Sequence, residues 1–264
     1  MKTKVISIIM TCIVLASLFV MPVSASATLS VDKQLERKGY PADVISTMCD
    51  EVKNEIISHP DSRYAGSTTV SGDMESTISK NQIIPYGTIP SADLRLTFTG
   101  TTYKENGYKI LWVTLNYDWE KHIMWYLTDQ IGITWDSSKF QVVDGAYGFV
   151  NNWYNFTGYN TWTRVVDNNY DARELNAANI IGDIDLKMES PVPYNNRGYA
   201  YVKLRVKDGV TAPTSTQAFG KYGHNTIVPT ISLTIDSSGL GISASGAATV
   251  DTLAISKTFS TTWN

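Results

Sequence analysis

The sequence predicts a mainly β protein, an antiparallel β-sandwich or jelly-roll-like domain preceded by a short N-terminal helical hairpin. Two observations carry the β class. Apolar and polar residues alternate with a period of two from Asp93 onward, and Asn106-Gly107, the strongest short-range hairpin signal in the chain, separates two such runs. A third observation carries the helices: between residues 30 and 60, apolar positions recur at three- and four-residue spacing.

Taken in order, residues 1–27 read as a secretory signal peptide. Lys2 and Lys4 form a basic start, Val5 to Met21 is almost uninterrupted apolar sequence, Pro22 breaks it, and Ala25-Ser26-Ala27 supplies the small residues of a cleavage site. The apolar run approaches membrane-spanning length, so an uncleaved anchor is the rival reading, and the Ala-x-Ala tripeptide after Pro22 favours cleavage. Lipidation at Cys12 fits poorly, because the apolar run continues past it. Cleavage removes two lysines and no acids, leaving 20 basic and 25 acidic residues and a net charge of −5. That mild acidity, with no basic run, argues against nucleic acid as a partner. Cys49 is then the sole cysteine, so no intrachain disulfide forms and the fold rests on its core. No later stretch is apolar enough to span a bilayer as a helix, and the expected location is extracellular.

Residues 28–60 form the helical segment. Ser30 caps a short helix through Lys38, with Gly39 in its left-handed C-terminal position, and Pro41 opens a second helix. Ile45, Met48, Cys49, Val52 and Ile56 share one face of that second helix, which makes Cys49 a buried thiol, and His59-Pro60 ends it. Residues 61–90, rich in Ser, Thr, Gly and Pro, read as a linker or an edge-of-domain wrap. The β domain spans 91–264. Leu94, Leu96 and Phe98 lead to the Asn106-Gly107 turn, and Leu111, Val113, Leu115 and Tyr117 return on one face with Trp112 and Thr114 on the other. Ile131–Trp135 and Phe140–Val143 read as a second hairpin across Asp136–Lys139. Further strands follow at 199–206, 228–235 and 249–259. Sandwich and closed barrel are not separated by pattern alone.

The densest chemistry lies in Tyr147–Trp162, where seven aromatic rings alternate with four asparagines. Flat rings stack on the C–H faces of a sugar, and amides at the rim satisfy its hydroxyls. Trp153, Tyr154, Tyr159 and Trp162, with Asn152 and Asn160, are therefore the candidate ligand platform. The competing account buries the same rings in the sheet, which would leave many amide groups needing partners. Asn155-Phe156-Thr157 is a glycosylation sequon.

Asp167, Asn169 and Asp171 have the one-three-five spacing of a calcium loop, with Glu174 beyond. Ala172 replaces the loop glycine and Ala178 the bidentate Glu, so calcium is a secondary expectation and a solvated connection the ordinary one. Gly239–Ala244 formally fits a dinucleotide fingerprint but lacks the βαβ setting such a motif needs. Signatures of zinc hydrolases, nucleophile elbows and P-loops are absent. Asp118, Glu120, Asp167 and Glu174 are acids near the aromatics, and a glycoside-acting enzyme would need two of them facing across a cleft. The expected role is a secreted, non-catalytic binding module for glycan or cell-envelope ligands. The alternative is a membrane-active, pore-forming-like β protein, suggested by the Ser/Thr-aliphatic alternation from Ile231 to Ile255.

N-terminal sequencing of the exported protein is expected to begin at Thr28 or within a residue or two of it. Intact Met1 in the soluble exported fraction would rule out the signal-peptide reading.

Overall fold

The computed structural model describes residues 29–71, 93–120, 128–158, 161–170, 172–186, 194–225, 232–235, 242–245 and 250–263, so residues 1–27, expected to be a signal peptide, lie outside them. The chain from Val31 onward is one compact unit, an antiparallel β-sandwich with three short helices on its N-terminal side. These are α1 (Val31–Arg37), α2 (Ala42–Thr47) and α3 (Asp50–Ser58).

The first sheet has six strands: β1 (Arg63–Ser71), β2 (Leu94–Glu105), β3 (Tyr108–Trp119), β5 (Phe140–Gly158), β6 (Thr161–Tyr170) and β9 (Tyr194–Val206), in the order β1-β2-β3-β9-β5-β6. The second has five: β4 (Thr128–Trp135), β7 (Ala172–Leu175), β8 (Asn179–Asp185), β10 (Ser215–Asn225) and β13 (Val250–Ser260), in the order β13-β10-β4-β8-β7. A separate two-stranded sheet pairs β11 (Ser232–Ile235) with β12 (Ile242–Ser245).

The hairpin expected at Asn106-Gly107 forms. Both residues have positive φ, 50° and 82°, which the mirror-image turn needs and which Asn and Gly tolerate. Between the sheets lies the main core, with Leu111, Val113, Leu115 and Tyr117 of β3 facing Ile131, Ile133 and Tyr222 of the second sheet. The opposite face of the first sheet is also covered. Leu35, Tyr40, Val44, Ile45, Val52 and Ile56 of the helices bury against Tyr103, Ile110, Trp112 and Tyr199. The alternation on β3 therefore sorts two apolar sets into two different cores.

Three local expectations are corrected. The single helix expected from Pro41 to Ile56 is two, because Met48 and Cys49 are extended, at ψ 138° and 154°. Cys49 is buried as expected, but it stands at the N-cap of α3. The second expected hairpin does not exist. β4 pairs with β8 and β10, while β5 pairs with β6 and β9, so the Asp136–Lys139 turn carries the chain from one sheet to the other. Part of the expected linker is strand β1, an edge strand paired only with β2, whose half-exposed Ser/Thr composition resembles a linker.

A buried polar node ties β4 to β10. Asp129 is wholly enclosed and accepts hydrogen bonds from the Tyr222 hydroxyl at 2.6 Å and from His224 Nδ1 at 2.9 Å. Trp119 Nε1 donates to Tyr222 Oη at 3.0 Å. Burial and the adjacent carboxylate push the Tyr222 hydroxyl well above its ordinary pKa.

Where β5 and β9 approach, Gly198 leaves room for Val150 O, which an added Cβ would strike, and for the Tyr117 hydroxyl. A carbonyl in a strand ladder cannot swing aside as a side chain can. Gly198→Ala should cost about 3 kcal/mol of stability, the upper end for overpacking, read from urea unfolding. A variant as stable as the parent would mean that the two strands do not approach this closely.

Candidate functional site

A cleft of about 660 Å³ opens on the outer face of the first sheet, between α3 and β5. Its floor is the outward row of β3 and β9, namely Trp112, Tyr199, Tyr201 and Lys203. Glu51 and Glu55, one helical turn apart on α3, form one wall. The other wall is the stretch Gly145–Val150 of β5.

That second wall comes from an irregularity in the ladder. Val142 pairs with Leu204, but the next pair is Tyr147 with Val202, so β5 holds three residues more than a regular ladder would between those pairs. Beyond the bulge, Gly148 lies under the Tyr201 ring. A Cβ there would come within 2.8 Å of Tyr201 Cε1, so glycine is what lets the ring lie on the strand. Tyr201 meets Trp112 edge-on at 6.4 Å between centroids and Tyr199 at 6.0 Å. Trp112 and Tyr199 are buried, whereas Tyr147 and Tyr201 are half-buried. Neither half-buried phenol has a hydrogen-bond partner among the described residues. Burial raises the Tyr201 pKa, so at neutral pH its hydroxyl is a neutral donor and acceptor.

The acidic wall is held by cations from the sheet. Lys203 Nζ bonds Glu55 at 2.7 Å and lies 6.0 Å from the centre of the Trp112 ring. Arg164, reaching from β6, bonds Glu51 at 2.8 Å, Asn152 Oδ1 at 3.1 Å and Asp50 at 3.4 Å. Burial alone would raise both glutamates. The hydrogen bonds and charges of Arg164 and Lys203 outweigh it and hold both below the ordinary carboxylate value.

The residues singled out in Tyr147–Trp162 divide. Asn152 is wholly buried and Trp153 is 6% exposed, so neither presents a surface for stacking. Asn152 instead links the helices to the sheet, donating to Cys49 Sγ at 3.4 Å and accepting from Arg164. Its neighbour Asn151, also wholly buried, accepts from the Tyr117 hydroxyl at 2.7 Å and donates to Asp185 O at 3.0 Å. The amides that seemed to require exposure thus find partners inside. Tyr154 is half-buried on β5 opposite Arg164. Tyr159 and Asn160 lie outside the described residues, as does the side chain of Trp162, whose backbone belongs to β6.

The calcium candidates are not brought together in one loop. Asp167 and Asn169 are strand residues of β6 in the first sheet, and Glu174 is on β7 in the second, bonded by Asn176 Nδ2 at 2.7 Å. Asp171 is outside the described residues. Among the described residues no three His, Cys, Asp or Glu side chains gather as a metal site would require. The acids Asp118 and Glu120 ion-pair with Arg95 rather than face a partner carboxylate across the cleft.

Sequence reasoning missed most of the cleft. Tyr147 lay within the aromatic stretch, but Glu55, Trp112 and Tyr201 are far apart in the chain and meet only through sheet order. Among the described residues no helix is long and apolar enough to cross a membrane. Comparison with protein-family models and with curated proteins returns no match for this chain.

Because Glu51 and Glu55 have folded-state values below their ordinary 4.5, the stability of their charged forms is complete above that pH and is lost as the pH falls through the lower values. Both side chains are 39% exposed, so solvent screening limits the contribution to about 1 kcal/mol or less. Glu51→Gln/Glu55→Gln should flatten the acid limb of the thermal midpoint against pH. Parallel curves for variant and parent would show that the two pairs contribute nothing.

Proposed function

We propose that this protein is a secreted, non-catalytic binding module, and that the cleft holds a glycan or a related hydroxyl-rich component of a cell envelope. The observation that carries the reading is the half-buried Tyr201, whose hydroxyl has no partner among the described residues, set edge-on to Trp112 and facing the glutamate wall of α3. A ring face is apolar and polarisable and suits the C–H patches of a pyranose. Free phenols and carboxylates exchange hydrogen bonds with its hydroxyls. Glu51 and Glu55 are charged, and each already bonds a cation, so neither is arranged as the proton-donating acid of a glycosidase.

The cleft retains the chemistry expected of the aromatic stretch but moves it one strand inward, to the bulged half of β5 and its neighbour β9. The test is binding to immobilised glycans and envelope polysaccharide, read beside the thermal midpoint. Tyr201→Ala should weaken retention by about 2 kcal/mol, the scale of an aromatic anchor, with little change in midpoint, whereas Tyr147→Ala, on the inter-sheet side of β5, should lower the midpoint instead. Tyr201→Phe, which keeps the ring, should lose only part of that. Retention undiminished in Tyr201→Ala would remove the cleft as the ligand site.

A further inference from the structure

We propose that the cleft selects an acetamido sugar, an N-acetylated hexosamine unit whose amide carbonyl accepts from Trp112 Nε1–H and from Lys203. The inference rests on the reading of the cleft as a glycan site and adds the class of glycan that it takes.

The floor of the cleft holds a donor with nothing to bond. Trp112 lines the cleft and is 3% exposed, and its Nε1–H has no acceptor among the described residues. A donor shut away from water without an acceptor is costly to keep, and a ligand atom is the partner this one lacks. Lys203 stands opposite Trp112 in the β3–β9 ladder, with its Nζ 6.0 Å from the centre of the indole ring. One N–H of that ammonium goes to Glu55, at 2.7 Å, and the others have no partner among the described residues. Indole and ammonium are donors only. A ligand hydroxyl set between them could accept from both only by turning its own hydrogen elsewhere. A carbonyl oxygen, with two lone pairs and no hydrogen, meets both.

Charge decides between the acceptors. A carboxylate or phosphate would also accept here, but it would face a wall that is already anionic. Glu51 and Glu55 are held below the ordinary carboxylate value and are charged at neutral pH. Arg164 and Lys203 set two cations against the three carboxylates Asp50, Glu51 and Glu55. A neutral carbonyl avoids that repulsion.

Glu55 then favours an amide over an ester. It takes its bonds from Lys203 and His59 on the same oxygen, Oε1, which leaves Oε2 without a partner among the described residues. Lys203 thus has an orphaned donor on one side and a free acceptor on the other. A trans amide carries C=O and N–H on opposite edges and supplies both bonds; an ester supplies only one. The methyl that completes the acetamido group suits the rings of Tyr201 and Trp112, which meet edge-on at 6.4 Å. Because Trp112 is so little exposed, the carbonyl reaches its N–H as a neighbouring side chain gives way. Lys203, on a flexible four-carbon stem, can turn and still donate to the incoming oxygen.

The test titrates protein purified after expression of the full chain with matched tetrasaccharides of N-acetylglucosamine, glucosamine and glucose, read by calorimetry at neutral pH. The acetylated tetramer should bind about tenfold more tightly than the glucose tetramer, the scale of one buried donor gaining its acceptor. Trp112→Phe, which keeps an aromatic ring and removes the N–H, should erase most of that ratio. The ratio in the parent stands whether or not this variant folds, and one indole N–H signal of the ¹⁵N-labelled parent should move downfield with the acetylated tetramer alone. Equal affinity for the acetylated and glucose tetramers overturns the proposal, as does tighter binding of the glucosamine tetramer. So does an acetylated peptide amide that binds as tightly, since the sugar would then be dispensable. If the acetylated and glucose tetramers bind equally but Tyr201→Ala weakens both, the cleft remains the glycan site and the acetamido selectivity alone falls. If Tyr201→Ala changes the retention of no glycan, the cleft reading itself has failed.

Discussion

The first sheet must be covered on both faces, and most of the molecule follows from that requirement. Eight consecutive residues of β2, Leu96 to Tyr103, and eight of β3, Ile110 to Tyr117, are buried. A sheet with one wet face would show polar residues at every second position. Here Leu111 and Val113 enter the inter-sheet core, while Ile110 and Trp112 enter the core beneath the helices. Without its helical cover the sheet would expose Tyr103, Trp112 and Tyr199 as one aromatic surface. Polar ties fix that cover in place: Tyr40 to Thr101, Cys49 to Asn152, Glu51 to Arg164 and Glu55 to Lys203. The cleft is the place where the cover ends before the floor does.

Burying two faces also brings polar groups inside, and their pairing explains several positions that look anomalous in the sequence. An unpaired buried amide or carboxylate costs more than a single hydrogen bond returns, so such groups persist where all their partners are present. Asn151 and Asn152 are adjacent, point to opposite faces, and bond to different layers, Asn151 to Tyr117 and Asp185, Asn152 to Cys49 and Arg164. Asp129 is held in the same manner by Tyr222 and His224. These contacts fix the relative positions of three layers that apolar packing alone would allow to slide.

The parts of the fold legible in the sequence are those that local chemistry decides. The Asn106-Gly107 turn, the left-handed Gly39 at φ 93° and the buried Cys49 each follow from residues within a few positions. Asp136–Lys139 misleads because a tight turn carries no mark of whether its strands pair or part into two sheets. Met48 and Cys49 mislead because both are apolar and fit the helical face, while the backbone turns between them. β1 is hidden by its exposure, since an edge strand rich in Ser and Thr has the composition of a loop. The cleft was least legible. Its floor joins β3 to β9, which lie some ninety positions apart, and its wall depends on three extra residues in β5 that only pairing with β9 reveals.

The cleft lies on the helical side of the first sheet, and Ala172 of β7 in the second sheet also lines it. No residue that lines the cleft belongs to β10, β11, β12 or β13. The inter-sheet core is anchored on β13 by Phe259, which lies within 2.5 Å of where a Gly100 Cβ would stand and meets Phe98 edge-on. β13 is thereby fixed to β2 at the end remote from Val250, and β10 to β4 through Asp129.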